Sequence, residues 1–310
     1  MNPEEKKPYV AVAGGVNIDI GGTANGALTP RDSNPGHVTV NLGGVGRNIA
    51  HNLSLLGVRT ELLTAIGGDL YAREVERSCE ELGIGLSHAL RAADARTSTY
   101  LYISGPDGDM ALAVNDMSIC DRLTETYFAA QTDVLRFASL VVADANLPAA
   151  ALRYLAEHCA APLFIDPVSA AKAGRIVPIL SRVHTLKPNR IEAELLSGVP
   201  VRDRAGAEAA ARALLRRGVR RVFLSMGEEG LLAAENSRFF WQERIPADAK
   251  SATGAGDALM AALAWSFLRG ETLERSARYG AAAASIAVES AETINAGLSA
   301  QTVAERAGRA

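Results

Sequence analysis

Cysteine is scarce in this chain and carries no motif. Cys79, Cys120 and Cys159 stand far apart in 310 residues. There is no Cys-x-x-Cys pair, no His-Glu-x-x-His and no histidine cluster. This argues against zinc and a disulfide framework, and a reducing cytosol is the expected compartment. Positive charge is not in excess either, with a net charge of -3 and a pI of 6.0. A nucleic-acid polymer, whose binding rests on counterion release at a basic face, is therefore a poor partner; a free nucleoside is still allowed. No apolar run reaches membrane-spanning length, and Ala258–Phe267 reads as a buried helix. Met1–Pro8 is short and charged, and neither a signal peptide nor an anchor is expected. No Gly-Lys dipeptide occurs, so there is no Walker A loop. The protein-kinase catalytic loop is missing, and the third glycine of a dinucleotide fingerprint falls on Leu259. No repeat, low-complexity tract or linker is evident.

What is present is a globular balance, 48% hydrophobic and 22% charged. The length suits one large α/β domain with a small elaboration, or two domains. Strands are expected at Tyr9–Ala13, Val38–Leu42, Glu61–Ile66, Leu140–Ala143, Leu163–Ile165, Thr185–Lys187 and Arg221–Leu224. Between them fall helices near Arg47–Leu56, Leu70–Leu82, Ala149–Cys159, Arg175–Leu180, Arg190–Leu196 and Ala205–Arg217, with Gly57 and Gly83 as C-caps. Gly230–Ala234 and Arg238–Gln242 read as a hairpin, followed by helices near Ala255–Leu268 and Leu273–Val288. This alternation implies a mainly parallel sheet covered on both faces. Thr97–Val114 breaks the rhythm, with Pro106-Asp107-Gly108 as turn chemistry inside a β-rich stretch. A small sheet standing apart is expected there, joined by strands from Ile18 to Val40. The polar tail after Ala300 is expected to fray.

Thr253-Gly254-Ala255-Gly256-Asp257 runs directly into the apolar segment Ala258–Phe267. Small residues at a helix start leave backbone N–H groups bare, and those donors with the positive dipole end suit a phosphoryl group in transfer. Asp257, in the first turn, is placed to accept a proton from an attacking hydroxyl. The alternative is an ordinary cap at Thr253 with an acid nearby. A capping box would want the acid at Gly256, and two glycines weaken a helix start that only needed a cap. A second motif, Gly43-Gly44-Val45-Gly46-Arg47-Asn48, also opens a helix and by itself is a strand-to-helix turn.

Together the two motifs resemble the paired signatures of the ribokinase-like carbohydrate kinases, the phosphofructokinase-B family. They stand in the family's order, and the likeness covers Val10 to about Ala291. The resemblance implies a three-layer αβα sandwich over residues 9–300. Lid strands would be inserted at about 17–40 and 97–116, and the ends, 1–8 and 301–310, would be flexible. It implies Asp257 as general base, with Gly254, Ala255 and Gly256 cradling the transferring group. Gly15-Val16-Asn17-Ile18-Asp19 is similar to a family motif whose amide and carboxylate hold sugar hydroxyls, which marks Asn17 and Asp19; an Asx turn is the alternative. Gly43, Gly44, Arg47 and Asn48 join them as substrate contacts, and Asn146, after its strand, is a further one. Lys187-Pro188-Asn189-Arg190-Ile191-Glu192 resembles the family's Asn-x-x-Glu stretch. That implies Lys187 and Asn189 near ATP and Glu192 near Mg²⁺ through water, although a plain helix start explains the same residues. Ser225, Gly227, Gly230 and Thr253 are implied ATP neighbours. Many members carry Asp two residues before the motif's Thr, in a monovalent-cation loop; Ser251 stands there, which leaves K⁺ activation by that route open.

Within the family, Asp32–Gly36, Gly43–Ala50, Val114–Met117, Phe164–Ser169 and His184–Asn189 resemble the members that phosphorylate pseudouridine. Ribokinases usually carry a small residue where Arg47 stands. On this reading Ser98, Tyr100 and Asn115 are base contacts on a polar lid; solvent-facing β residues are the alternative. The partners implied are ATP, Mg²⁺, a small nucleoside and a second copy of the chain joined lid to lid. A kinase for another nucleoside or for ribose, and a non-catalytic nucleoside-binding regulator, remain as rival readings.

Overall fold

The computed structural model describes residues 8–309. The expectation for the N-terminal end lies, apart from Pro8, outside them. The chain opens with β1 (Val10–Ala13), then leaves for β2 (Asn17–Ala24) and β3 (Gly36–Gly43). Helix α1 (Val45–Leu55) brings it back to β4 (Thr60–Leu63), followed by β5 (Ala65–Gly67), α2 (Leu70–Glu81), β6 (Ile84–Gly85) and β7 (Leu90–Ala92). The hairpin β8 (Thr99–Ser104) and β9 (Met110–Asp116) comes next, and α3 (Glu125–Ala130) and α4 (Thr132–Phe137) lead to β10 (Leu140–Asp144). A regular alternation follows through α5 (Ala149–His158), β11 (Leu163–Asp166), α6 (Ala170–Ala173), β12 (Thr185–Leu186), α7 (Arg190–Ser197), α8 (Arg204–Arg216) and β13 (Arg221–Ser225). The antiparallel pair β14 (Leu231–Glu235) and β15 (Arg238–Gln242) precedes α9 (Ala255–Leu268), α10 (Leu273–Ala287) and α11 (Ala300–Ala307).

The main sheet has nine strands in the order β15-β14-β13-β12-β11-β10-β1-β4-β6, parallel from β13 to β6. Its strands are apolar on both faces, and alternate residues feed two cores. Ala11, Ala13, Val141 and Ala143 pack with the side of α5, α7 and α8. Val10, Val12, Leu140 and Val142 pack with the side of α1, α2, α9 and α10. This is the expected three-layer sandwich with a mainly parallel sheet. The strand order reverses between β1 and β10, the place where open α/β sheets hold ligands at the carboxyl ends of their strands.

A separate four-stranded sheet, β3-β2-β8-β9, stands apart as expected. Its two hairpins are antiparallel, but β2 and β8 run parallel in the middle. One face is polar: Asn41, Asp19, Tyr100 and Asn115 lie in a single cross-strand row. The other is apolar and open, with Val38 73%, Val40 56%, Leu112 65% and Val114 59% exposed.

Three expectations need correction. Glu61–Ile66 is not one strand: β4 belongs to the main sheet, while β5 pairs with β7 in a small two-stranded sheet. The tail does not fray between Ala300 and Ala307, because Ser299 and Thr302 form a capping box, Val303 and Ala307 are buried, and Arg306 pairs with Glu289 at 2.8 Å. Ser98 is not on the polar face of the small sheet; it precedes β8, is buried, and turns its hydroxyl to Cys120 Sγ at 3.9 Å.

Candidate active site

Strands β10, β11 and β12 end side by side, and each end carries a charge. Asp144 and Asp166 are register partners, and Lys187 follows β12. All three are buried. Lys187 Nζ meets Asp166 Oδ2 at 3.1 Å. Burial alone would pull the Lys187 ammonium down, but Asp166, Asp257 and Glu192 around it outweigh that and hold it above its usual value. Asp144 was not singled out by its sequence context, although a charge ending the apolar strand Leu-Val-Val-Ala is a signal. Its two oxygens accept from Gly15 N–H at 2.9 Å and Asn146 N–H at 2.8 Å, which stitches β1 to β10 across the strand-order reversal. Burial pushes Asp144 up to about 6 despite those bonds.

Asp257 lies over this row, in the first turn of α9. Burial, with Asp166 nearby, raises its pKa to about 7, against the hydrogen bond from Asn48 and the charge of Lys187, which favour the ionised form. Asn48 Nδ2 donates to Asp257 Oδ2 at 2.9 Å, while Asn48 Oδ1 is buried without a partner among the described residues. The helix start itself carries no side-chain cap. Gly254 sits at φ +82°, and a Cβ there would collide with the Thr293 carbonyl, so only glycine fits this turn. The first-turn N–H groups, those of Ala255, Gly256 and Asp257 among them, have no intrahelical acceptor. Gly256 passes so close to Lys187 that a Cβ would come within 3.0 Å of its Nζ.

The other glycine motif serves close approach as well. A Cβ on Gly43 would run into Asp19, and one on Gly44 or Gly46 into the backbone of Gly14–Asn17. These contacts bring the start of α1 against β2, so Asn48 and Asn17 share one end of the molecule. Asn17 Nδ2 donates to Asp19 Oδ1 at 2.8 Å. Arg47 is committed elsewhere: its guanidinium donates to Ser78 Oγ at 2.9 Å and to the Leu42 carbonyl at 3.3 Å. Tyr100 and Asn115 face the same side as Asp19, with the Tyr100 hydroxyl on Met110 Sδ at 3.2 Å. Asn146 stands beside Gly15, whose Cβ would touch the Asn146 amide at 3.0 Å.

A cleft of about 330 Å³ opens on the far side of Gly256. Ser225, Gly227 and Gly230 line it, as do Ala255 and Gly256. Its apolar wall, Ile245, Leu259, Ala284 and Val288, gave no sequence signal, because aliphatic side chains on packed helices or the segment beside them look like core. Lys187, Asn189, Thr253 and Gly254 are not among its lining residues. Asn189 and Glu192 form a complete capping box on α7, bonded at 2.8 and 2.9 Å. Glu192 is buried, and its pKa is raised by burial against the Asn189 N–H and Lys187. Among the described residues no group of three acidic, His or Cys side chains is arranged to cage a metal ion. No helix of the described residues is long and apolar enough to cross a membrane.

Residues 7–300 match the model of the pfkB family carbohydrate kinases. The chain is 37% identical to pseudouridine kinase from Escherichia coli over 95% of each chain. It is 38% identical to an uncharacterized sugar kinase of the same organism, over 95% of this chain and 82% of that one. A carbohydrate kinase from Agrobacterium tumefaciens superposes with a TM-score of 0.86 at 28% identity over 97% of both chains. Ribokinase from Arabidopsis thaliana, solved with ribose and ATP, shares the fold with a TM-score of 0.87 at 21% identity, over 97% of this chain and 98% of that one. The chain is a phosphotransferase with an alcohol acceptor, and it belongs to the pfkB family of carbohydrate kinases.

Proposed function

We propose that the protein transfers the γ-phosphoryl group of ATP to the 5′-hydroxyl of pseudouridine. The observation that carries the substrate is the 37% identity to a pseudouridine kinase over 95% of both chains. Asp257 supports the chemistry: it is buried, its pKa is about 7, and one oxygen is held by Asn48 while the other is left to accept a proton. In this reading Asn17, Asp19, Gly43, Gly44 and the unpartnered Asn48 Oδ1 hold the sugar hydroxyls. The 5′-hydroxyl is thereby aimed at the phosphate, and Asp257 takes its proton as the new P–O bond forms. The N–H groups of Gly254, Ala255 and Gly256 hold the transferring oxygens, and Lys187 balances the buried carboxylates. Catalysis is then positioning and electrostatics, as phosphoryl transfer requires.

ATP fits the cleft beside Gly256, with its base against the wall of Ile245, Leu259 and Val288. Mg²⁺, when bound, would offset charge on the phosphates. It would be held chiefly by those phosphates and by water, with Glu192 as a protein carboxylate that would act on it through water. The small sheet would close over the sugar by its polar face and exclude water. Its open apolar face, lined by Val38, Val40, Leu112 and Val114, fits the same face of a second copy, giving a dimer joined lid to lid. The compartment in this reading is the cytoplasm.

The equal likeness to an uncharacterized sugar kinase supports a second reading, in which a free sugar or another nucleoside is the acceptor. ADP release in a coupled assay with ATP, Mg²⁺ and, separately, pseudouridine, uridine and ribose decides between them. Turnover on pseudouridine at least about tenfold above the others, in kcat/KM, is the expected result. A preference for uridine or ribose would overturn the substrate and keep the phosphotransferase.

A further inference from the structure

Lys172 has no part in the phosphoryl chemistry above, yet it is half-buried beside the site. It sits on the short helix α6, alone among alanines. Its ammonium donates to Asn146 Oδ1 and lies 3.7 Å from Met117 Sδ. Both neighbours crowd Gly15, whose Cβ would come within 2.9 Å of Met117 Cε and 3.0 Å of Asn146 Nδ2. Gly15 leads straight into β2, which carries Asn17 and Asp19. The cluster therefore borders the sugar-binding strand.

The surroundings hold this lysine in place. Val168 takes φ +68°, a conformation a β-branched residue rarely adopts, and its N–H is tied to Asp166 Oδ1 at 2.8 Å. That turn delivers α6 to the end of β10. Arg175, one turn on, donates to the carbonyls of Ala145, Asn146 and Leu147 at 3.0 to 3.2 Å, which fixes the loop that bears Asn146. Burial lowers the Lys172 pKa, with Asp144 pulling the other way.

A lysine can only donate. By occupying Asn146 Oδ1 it decides which way that amide points, and the amide N–H side lies beside Gly15 and serves the Asp144 carboxylate. Lys172, with three N–H groups, keeps one donor beyond those on Asn146 Oδ1 and Met117 Sδ. Asn146 is buried and bonded on both sides, so the half-exposed polar group of the pair is the Lys172 ammonium, which can only donate. An amino substituent would meet N–H with N–H, whereas a carbonyl oxygen would be bonded; leaving such donors unpaired discriminates strongly.

We propose that the Lys172 ammonium, held in place by Asn146, is a donor-only contact that reads a carbonyl oxygen on the base of the substrate. This rests on a nucleoside being the acceptor. It selects uracil-type bases over bases that present an amino group.

The test uses the full chain, wild type against Lys172→Met and Lys172→Arg, with ATP, Mg²⁺ and pseudouridine, uridine, cytidine or ribose. Lys172→Met is expected to lower kcat/KM on pseudouridine about 10- to 100-fold, mostly through KM, as loss of a charged hydrogen bond predicts. The loss on ribose, which has no base, is expected to be at least about fivefold smaller, and Lys172→Arg should recover most of the difference because arginine is also donor-only. The ratio between substrates is taken within one preparation, so partial unfolding cancels. Equal losses on base-bearing and base-free substrates, or no loss, overturn the proposal. If the wild type prefers uridine, the pseudouridine assignment falls and the same ratio is read on uridine. Turnover on ribose with no gain from any base overturns both.

Discussion

At the carboxyl ends of the main sheet's central strands the charges are buried and matched; on one face of the small sheet the apolar groups are exposed and unmatched. Asp144, Asp166, Lys187 and Asp257 sit in the interior, each held by a named partner. Val38, Val40, Leu112 and Val114 stand in solvent on a flat face. The first arrangement is preorganised, because its dipoles need not move when a charge develops. The second is unfinished, because a soluble chain rarely leaves such a face bare. In the proposed function the first group serves the chemistry and the second serves contact with a second copy.

The strongest way to break this contrast is Asp257→Asn. Turnover should fall about 10²- to 10⁴-fold, measured by coupled ADP release. The same substitution should leave the fold more stable at high pH. Asp257 has a folded pKa of about 7, well above the ordinary carboxylate value of 3.8, so the folded state favours the neutral acid. The stability that neutrality gives is full below the unfolded pKa and is lost as pH rises through the folded one. An amide cannot ionise and still accepts from Asn48, so melting at pH 8 should show a gain of about 1–3 kcal/mol, with little gain at pH 4. In the wild type kcat/KM should fall as pH drops below about 7, when the base becomes protonated. A flat profile from pH 6 to 8 would remove Asp257 from the base role.

Lys187→Met tests the matched charges from the other partner. It strands Asp166 beside Asp257 in the interior, and chemical denaturation should show a loss of about 3–5 kcal/mol. The small sheet should respond differently. Val40→Glu with Val114→Glu should weaken self-association about 100-fold or more in sedimentation, by placing charges in an apolar contact, while the melting midpoint of the isolated chain moves by only about 1 °C. An unchanged association state would mean that this face meets something other than itself. The smallest effect belongs to Tyr100→Phe. Among the described residues its hydroxyl meets a weak sulfur acceptor, so stability should change by less than about 0.5 kcal/mol.

The main sheet was legible because each buried strand is a short apolar run closed by turn residues, and each helix shows one apolar face. The two glycine motifs were legible because only glycine tolerates such close approach, as Gly43 and Gly254 show. Other features depend on distant partners. The parallel pairing of β2 with β8 joins residues about eighty positions apart, and nothing local encodes it. Ser98 looks like a strand residue with a free hydroxyl until Cys120 covers it. Ile66 continues an apolar run from Leu62, yet the chain changes sheets at Thr64. Glu192 reads equally as a cation neighbour and as half of a capping box, and the structure shows the second bond formed. Lys172 gave no signal beyond being a lone charge among alanines.

The path of the chain between the two sheets has a mechanical consequence. It crosses from one to the other four times: between β1 and β2, between β3 and α1, before β8, and after β9. A body tethered by four adjacent strands of chain can rock on its base but cannot slide or swivel freely. Those tethers are Gly14–Val16, Gly44, Thr97–Ser98 and Met117, and the first two and the last crowd Asn17, Asn146 and each other at the candidate site. In the proposed function, the joint that sets the angle of the small sheet and the walls that would touch the ligand share residues, so filling the site would also tilt the cover.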